Sequence, residues 1–254
     1  MRIVRRLDVA AAVVAACCLS PAAWAQAPGA GGDAEARFNA GLTHLRDGRP
    51  KLALEEFQNA IKQDPKNPYF HKGLGLAYAT LKRFDDAVGA FRKALVLNPY
   101  YTDVRNDLGM ALVLAGKRQE GKAEFLAAFN DPTNPTPEIS SRNLGQAYYE
   151  EKNYAEAANW FRSSLNRNKA YPDAYLGLAD ALVALGRAED AITTLETGAR
   201  EVPASTAIQL SLGEAYYRAG RFTDARARLE DARKADPTGA DARRAAELLK
   251  HFPR

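Results

Sequence analysis

The chain has 254 residues, 46% of them hydrophobic and 26% charged, with a net charge of +4. These proportions belong to a folded globular protein and exclude a disordered or collagen-like chain. Two Cys, three His and two Trp leave little material for a metal cluster, a disulfide framework or a Cys/His active site, and abundant Ala with few β-branched residues favours helix over sheet.

The first element is an address label. Arg2, Arg5 and Arg6 form a basic region, Val9 to Leu19 an apolar stretch of 11 residues, and Ala23-Trp24-Ala25 a small-x-small site before Gln26. This order predicts a secretory signal peptide over residues 1–25. Its apolar part is shorter than the ~20 residues that span a bilayer, so a transmembrane anchor is not expected there. Val14-Ala15-Ala16-Cys17 overlaps the same stretch as a bacterial lipobox, in which Cys17 would be lipidated and become the first residue. Both processing sites stay open, and either exports the chain. Cleavage after Ala25 removes both cysteines and, with Arg2, Arg5, Arg6 and Asp8, two units of net charge. The interspersed charges that remain give no nucleic-acid footprint. Gln26 to Asp33 is expected to be a flexible leader of small residues.

From Ala34 onward the chain repeats itself every 34 residues. With repeats starting at Ala34, Pro68, Thr102, Glu138, Pro172 and Thr206, position 7 holds Ala40, Leu74, Leu108, Leu144, Leu178 and Leu212. Position 8 holds Gly41, Gly75, Gly109, Gly145, Ala179 and Gly213, and position 11 holds His44, Tyr78, Leu112, Tyr148, Leu182 and Tyr216. Position 24 is Phe57, Phe91, Phe125, Phe161, Leu195 and Leu229, with small residues at positions 20 and 27. Positions 7, 8 and 11 share one face of a first helix, and 20, 24 and 27 one face of a second. The Gly and Ala columns let the helices approach within the ~8–10 Å of ordinary packing. Gly48, Gly116, Gly186 and Gly220 fall at the turns between helices, where φ > 0 is often required. Pro65, Pro99, Pro203 and Pro237 close four of the repeats. The expected layout is six repeats (34–67, 68–101, 102–137, 138–171, 172–205, 206–239) followed by a capping helix over 240–254. The cap would set Ala242, Ala245, Ala246 and Leu249 on the last repeat and Arg243, Arg244, Glu247 and Lys250 in water.

These columns resemble the tetratricopeptide repeat, or TPR, whose period and small-residue positions they match. The resemblance implies an all-α fold, a right-handed TPR superhelix or α-solenoid of six helix-turn-helix repeats.

Catalytic chemistry finds no foothold in the pattern. Gly73-Leu74-Gly75 opens like a dinucleotide loop, but it falls inside a helix and lacks the third Gly and the preceding strand. His44, His71 and His251 stand in unrelated registers without a partner four residues away, so no metal site is expected. Glu55-Glu56, Asp85-Asp86 and Glu150-Glu151 read as solvated faces, and Ser140-Ser141 has no base near it in sequence. Neither an enzyme nor a cofactor is expected.

In TPR proteins the first helices line an inner groove through positions 2, 5, 6, 9, 12 and 13. By that resemblance repeats two and three present Tyr69, Lys72, Leu76, Asn106, Met110, Val113 and Leu114. Repeat four presents Arg142, Asn143, Gln146 and Tyr149, and repeat six Tyr217. Such a face suits an extended or helical segment of another protein. The clamp with which some TPR modules hold acidic chaperone C-termini is missing: Leu76, Asp107 and Ile139 stand where Asn, Asn and a cation belong.

The junction Phe129 to Glu138 carries three prolines and two extra residues. An export signal, six repeats and this link before Asn143-Leu144-Gly145 are together similar to the pilotin-type TPR lipoproteins of type IV pili. That resemblance implies a scaffold, periplasmic or tethered to the outer membrane through Cys17, that helps an outer-membrane secretin or other pilus component assemble. A general periplasmic adaptor for envelope assembly, polysaccharide export or cytochrome maturation fits the same residues.

Overall fold

The computed structural model describes residues 32–250 and 252; the expected signal peptide, Cys17 and most of the leader lie outside them. The described residues form thirteen α-helices and no strand. A first compact unit, up to Pro135, holds α1 (Gly32–Arg46), α2 (Pro50–Gln63), α3 (Pro68–Thr80), α4 (Phe84–Leu97), α5 (Thr102–Leu114) and α6 (Arg118–Asn130). A second, from Thr136, holds α7 (Pro137–Glu150), α8 (Tyr154–Arg167), α9 (Pro172–Ala184), α10 (Ala188–Glu201), α11 (Thr206–Arg218), α12 (Phe222–Ala235) and α13 (Ala240–Lys250). The all-α reading holds. The first helix begins at Gly32, two residues inside the expected leader.

Local chemistry sets these boundaries. Pro50, Pro68, Pro137 and Pro172 open their helices, where the missing N–H costs nothing. The side chains of Asn67, Asn153 and Ser205 accept from the backbone N–H of Tyr69, Glu156 and Ile208 as N-caps. Each first helix ends in the same turn. The N–H at position 16 reaches back to the carbonyl at position 11, as in Arg49 to His44 at 2.8 Å, Lys117 to Leu112 at 2.8 Å and Arg221 to Tyr216 at 2.9 Å. This 6→1 closure needs a left-handed residue at position 15. Gly48, Gly116, Gly186 and Gly220 supply it with φ between 70° and 83°.

Repeats two and four use lysine instead: Lys82 has φ 59° and Lys152 φ 62°. Side chains in this region cost ~1–2 kcal/mol, more than the ~0.5–1 kcal/mol entropic penalty of glycine. Lys82→Gly and Lys152→Gly are therefore each expected to raise stability by about 0.5–1 kcal/mol, read as a higher Tm in thermal denaturation followed by circular dichroism.

Large rings in glycine sockets form the core. Phe57, Phe91, Phe125 and Phe161 are fully buried. A methyl group added at Gly41 would lie 2.6 Å from Phe57 Cε1, and one at Gly73 of the next repeat 2.7 Å from the same atom. Phe57 thus fills a slot between two first helices whose walls carry no Cβ. Phe161 sits the same way between Gly145 and Gly177. Position 20 (Ala53, Ala87, Ala157, Ala191, Ala225) is buried throughout, so the second helices press against the first with almost no side chain between them. Within each unit the first helices also touch in sequence: α1 with α3 and α3 with α5, then α7 with α9, α9 with α11 and α11 with α13. That contact makes their exposed sides one face per unit.

Candidate partner-binding face

In the first unit, the residues expected in the groove divide into a covered part and an accessible part. Leu76 is only 5% exposed and belongs to the hydrophobic core, and Asn106 is also buried. Met110, Val113 and Leu114 are half-buried along the last turns of α5. Lys72 is drawn inward: its side chain is 7% exposed, and Nζ lies 2.6 Å from Asp103 Oδ2 and 5.2 Å from the centre of the Tyr101 ring. Tyr69 packs edge-on against Tyr101, with ring centres 5.3 Å apart. Burial pushes the Tyr101 hydroxyl well above the usual phenol range, against the opposing pull of the Lys72 charge.

The second unit builds an equivalent cluster from other residues. The side chain of Arg142, 12% exposed, places Nη2 3.1 Å from Asp173 Oδ2 and donates from Nη1 to Asn143 Oδ1 at 3.1 Å. Tyr171 stands where Tyr101 does, and burial raises its hydroxyl to about 12, with Arg142 pulling the other way. Asn143 is buried, while Gln146 donates to Glu150 at 3.2 Å on the accessible side. Tyr149 is half-buried beside Tyr154, ring centres 5.2 Å apart, and its hydroxyl is held up by burial and by the Asp180 charge. Tyr217 is the most exposed of the expected residues and contacts Phe222 and Phe252. With their hydroxyls raised, Tyr101, Tyr149 and Tyr171 remain neutral hydrogen-bond donors near pH 7.

Several polar groups elsewhere in the fold tie its elements together. Ser164 donates to the Glu138 carbonyl at 2.8 Å and Ser141 to the Pro137 carbonyl at 3.1 Å, tying α8 and α7 to the start of the fourth repeat. Glu56 takes Arg37 at 3.2 Å, and Asp85 and Asp86 take Lys117 and Arg83 at 2.7 Å each. What these surfaces offer chemically is apolar area, aromatic edges and fixed hydrogen-bond groups, the means of holding another chain.

Models of the tetratricopeptide repeat match residues 22–68, 38–102, 106–175 and 210–249, and a second such model matches 148–209. The chain belongs to the tetratricopeptide repeat family. Among TPR relatives, the type IV pilus assembly protein PilF of Pseudomonas aeruginosa is 28% identical over 148 residues, 58% of this chain and 59% of PilF. The match thus spans less than two thirds of that relative's length. The crystal structure of PilW, a widely conserved type IV pilus biogenesis factor, superposes with a TM-score of 0.68 at 23% identity, covering 87% of this chain and all of PilW. The Pseudomonas aeruginosa PilF structure gives 0.65 at 21% identity, with 87% and 98% covered. At these identities the superpositions establish a shared TPR fold. No helix among the described residues is long and apolar enough to cross a membrane.

Two features of these TPR units escaped the sequence reading. One is the duplicated cluster of cation, tyrosine and aspartate, Lys72–Tyr101–Asp103 and Arg142–Tyr171–Asp173. Its signal was present as two sets with the same internal offsets, 70 residues apart. The other lies at repeat junctions. His71, Arg105 and Gln209, all at position 4, donate to the carbonyls of Pro65, Pro99 and Pro203, six residues earlier, at 3.0, 3.2 and 3.3 Å. These bonds satisfy carbonyls between helices and explain why His71 is buried.

Proposed function

We propose that this chain is an exported, non-enzymatic TPR scaffold that holds a protein or peptide segment on the face of its first helices and assists type IV pilus assembly. An outer-membrane secretin or another pilus component is its partner on this reading. The similarity to PilF over 148 residues carries the pathway. The half-buried apolar run Met110, Val113 and Leu114, with Tyr69 and Lys72 elsewhere in the same unit, supports the mode of binding. In the second unit Arg142, Asn143, Gln146, Tyr149 and Tyr217 make up a proposed face of its own; in the first, Leu76 and Asn106 back the face from within. The proposed layout is a signal over 1–25, six repeats over 34–239 and a cap over 240–254.

Met110 and Leu114 replaced together by Glu are expected to abolish partner capture from envelope extract while leaving helicity and Tm nearly unchanged. In a deletion strain, the wild-type chain should restore secretin multimers and pili, and the double variant should not. Normal multimers and pili without the gene would remove the pilus role. An envelope partner outside the pilus machinery, recovered by wild type and lost by the variant, would shift the reading to a general periplasmic adaptor. The intact mass of the exported chain decides its attachment: Gln26 at the N-terminus means a soluble periplasmic protein, an acylated Cys17 a tethered one.

A further inference from the structure

We propose that the C-terminal ends of α7, α9 and α11 form a docking strip for an amphipathic helix of a partner protein, one that carries lysine or arginine beside its apolar face. This rests on reading the chain as a partner-binding scaffold, and it adds where the second unit holds its partner and by what chemistry.

The strip is visible in what the second unit leaves uncovered. Its exposed large hydrophobic residues, among those described, are Val183, Leu185, Tyr217 and Phe222, each 39–49% exposed. Single exposed apolar side chains are ordinary, but these four share one edge. Val183 and Tyr217 occupy position 12 of repeats five and six; Leu185 caps the end of α9 and Phe222 opens α12. Position 12 of repeat four is Tyr149, stacked beside Tyr154. Because α9 touches both α7 and α11, the equivalent positions of the three helices follow one another in order. Phe252 packs against Tyr217 at the far end, ring centres 5.0 Å apart.

The spacing suits a helix as the occupant. Packed helices lie ~8–10 Å apart, so three positions in a row span ~20 Å. Residues i, i+7 and i+14 of an α-helix, at ~1.5 Å per residue, recur every ~10.5 Å and place one apolar side chain on each repeat. In an extended strand, same-face side chains recur every ~6.6 Å and fall out of step.

Charge selects its flanks. Segments 149–156, 183–190 and 217–224 carry six carboxylates and four cations, whereas the corresponding segments of the first unit, 45–52, 79–86 and 113–120, carry four carboxylates and seven cations. Arg187 pairs with Asp190, Arg221 with Asp224 and Arg218 with Glu214; with both partners of each pair set aside, Glu150, Glu151, Glu156 and Glu189 stand against Lys152. The rim of the strip is acidic and favours a basic partner.

The test uses the full chain and a fluorescent helical peptide of about 18 residues, with Leu along one face and Lys on both flanks, read by fluorescence anisotropy. The peptide is expected to bind. V183D/Y217S should weaken it by about tenfold or more without changing the helical spectrum or Tm, whereas V96D, at an exposed position of α4 outside the proposed faces, should leave it unchanged. The same peptide with Glu for Lys should bind at least about tenfold more weakly, and E150K/E189K should reverse that preference. Absence of binding, equal affinity for V183D/Y217S, or indifference to peptide charge would overturn the proposal. Loss with M110E/L114E but not with V183D/Y217S would place docking in the first unit, ending this proposal while the scaffold reading stands.

Discussion

Phe161→Ala is expected to destabilise the second unit by about 3–5 kcal/mol, the range for truncating a fully buried aromatic side chain. The reason lies in its socket. Gly145 and Gly177 face the ring from adjacent first helices, and neither has a side chain that could swing into the space left behind. The cavity stays open, so the cost sits near the top of the range. Trp160, the neighbouring residue, provides the readout. A chain expressed from Gln26 onward carries it as the one tryptophan, so its fluorescence follows the second unit alone. Urea denaturation should show an early fluorescence transition while part of the helical signal persists, because stability in a repeat array is a sum of local and neighbour terms. A single transition shifted by less than about 1 kcal/mol would mean that the socket relaxes around the smaller residue.

Repeat five shows how such a loss is recovered. It pairs Leu195 at position 24 with Ala179 at position 8, whereas repeats one to four pair Phe with Gly. Total volume is conserved across the crossing. The double variant G145A/F161L copies the repeat-five pair and is expected to recover most of the stability that Phe161→Ala loses, measured in the same urea experiment.

This exchange of sizes also explains what was legible in the sequence. A helix crossing imposes the same steric demand in every repeat, so positions 8, 20, 24 and 27 stand out as columns and disclose the fold. The four turn glycines were legible for the same reason. Lys82 and Lys152 were not, because the left-handed turn tolerates other residues at a modest energetic cost and the column is broken. The face of each groove residue followed from register, but its depth did not. Register fixes the direction in which Lys72 and Leu76 leave α3; whether they stay in solvent depends on the next repeat, where Asp103 draws the ammonium in and Tyr101 packs beside it. Asn106 likewise has a groove register and a buried side chain, its Oδ1 without a hydrogen-bond partner among the described residues. The position-4 bonds to proline carbonyls were hidden because His, Arg and Gln share a donor and little else that a column of letters could display.

Gly109→Leu is expected to destabilise the first unit by about 3 kcal/mol, the upper end of overpacking costs. A methyl group at Gly109 would lie 2.6 Å from Phe125 Cε1 and 3.0 Å from the Gly121 carbonyl oxygen, so the added side chain meets both a fully buried ring and the backbone of α6. A ring can tilt; a helix backbone moves only with its whole turn. Gly121→Ala isolates the backbone part. In the five other repeats position 20 is alanine, and by propensity alone the change would stabilise α6 by ~1 kcal/mol. Here the new methyl would sit 2.6 Å from the Gly109 carbonyl oxygen and 2.7 Å from Val113 Cγ2. Repeat three is thus the crossing with glycine on both sides, and its helices have closed into the space that a Cβ occupies elsewhere. Gly121→Ala should therefore destabilise by about 1–2 kcal/mol, the overpacking cost exceeding the propensity gain. The opposite sign in urea titration would show that α5 and α6 separate freely, and would remove the close approach as the reason for glycine at either position.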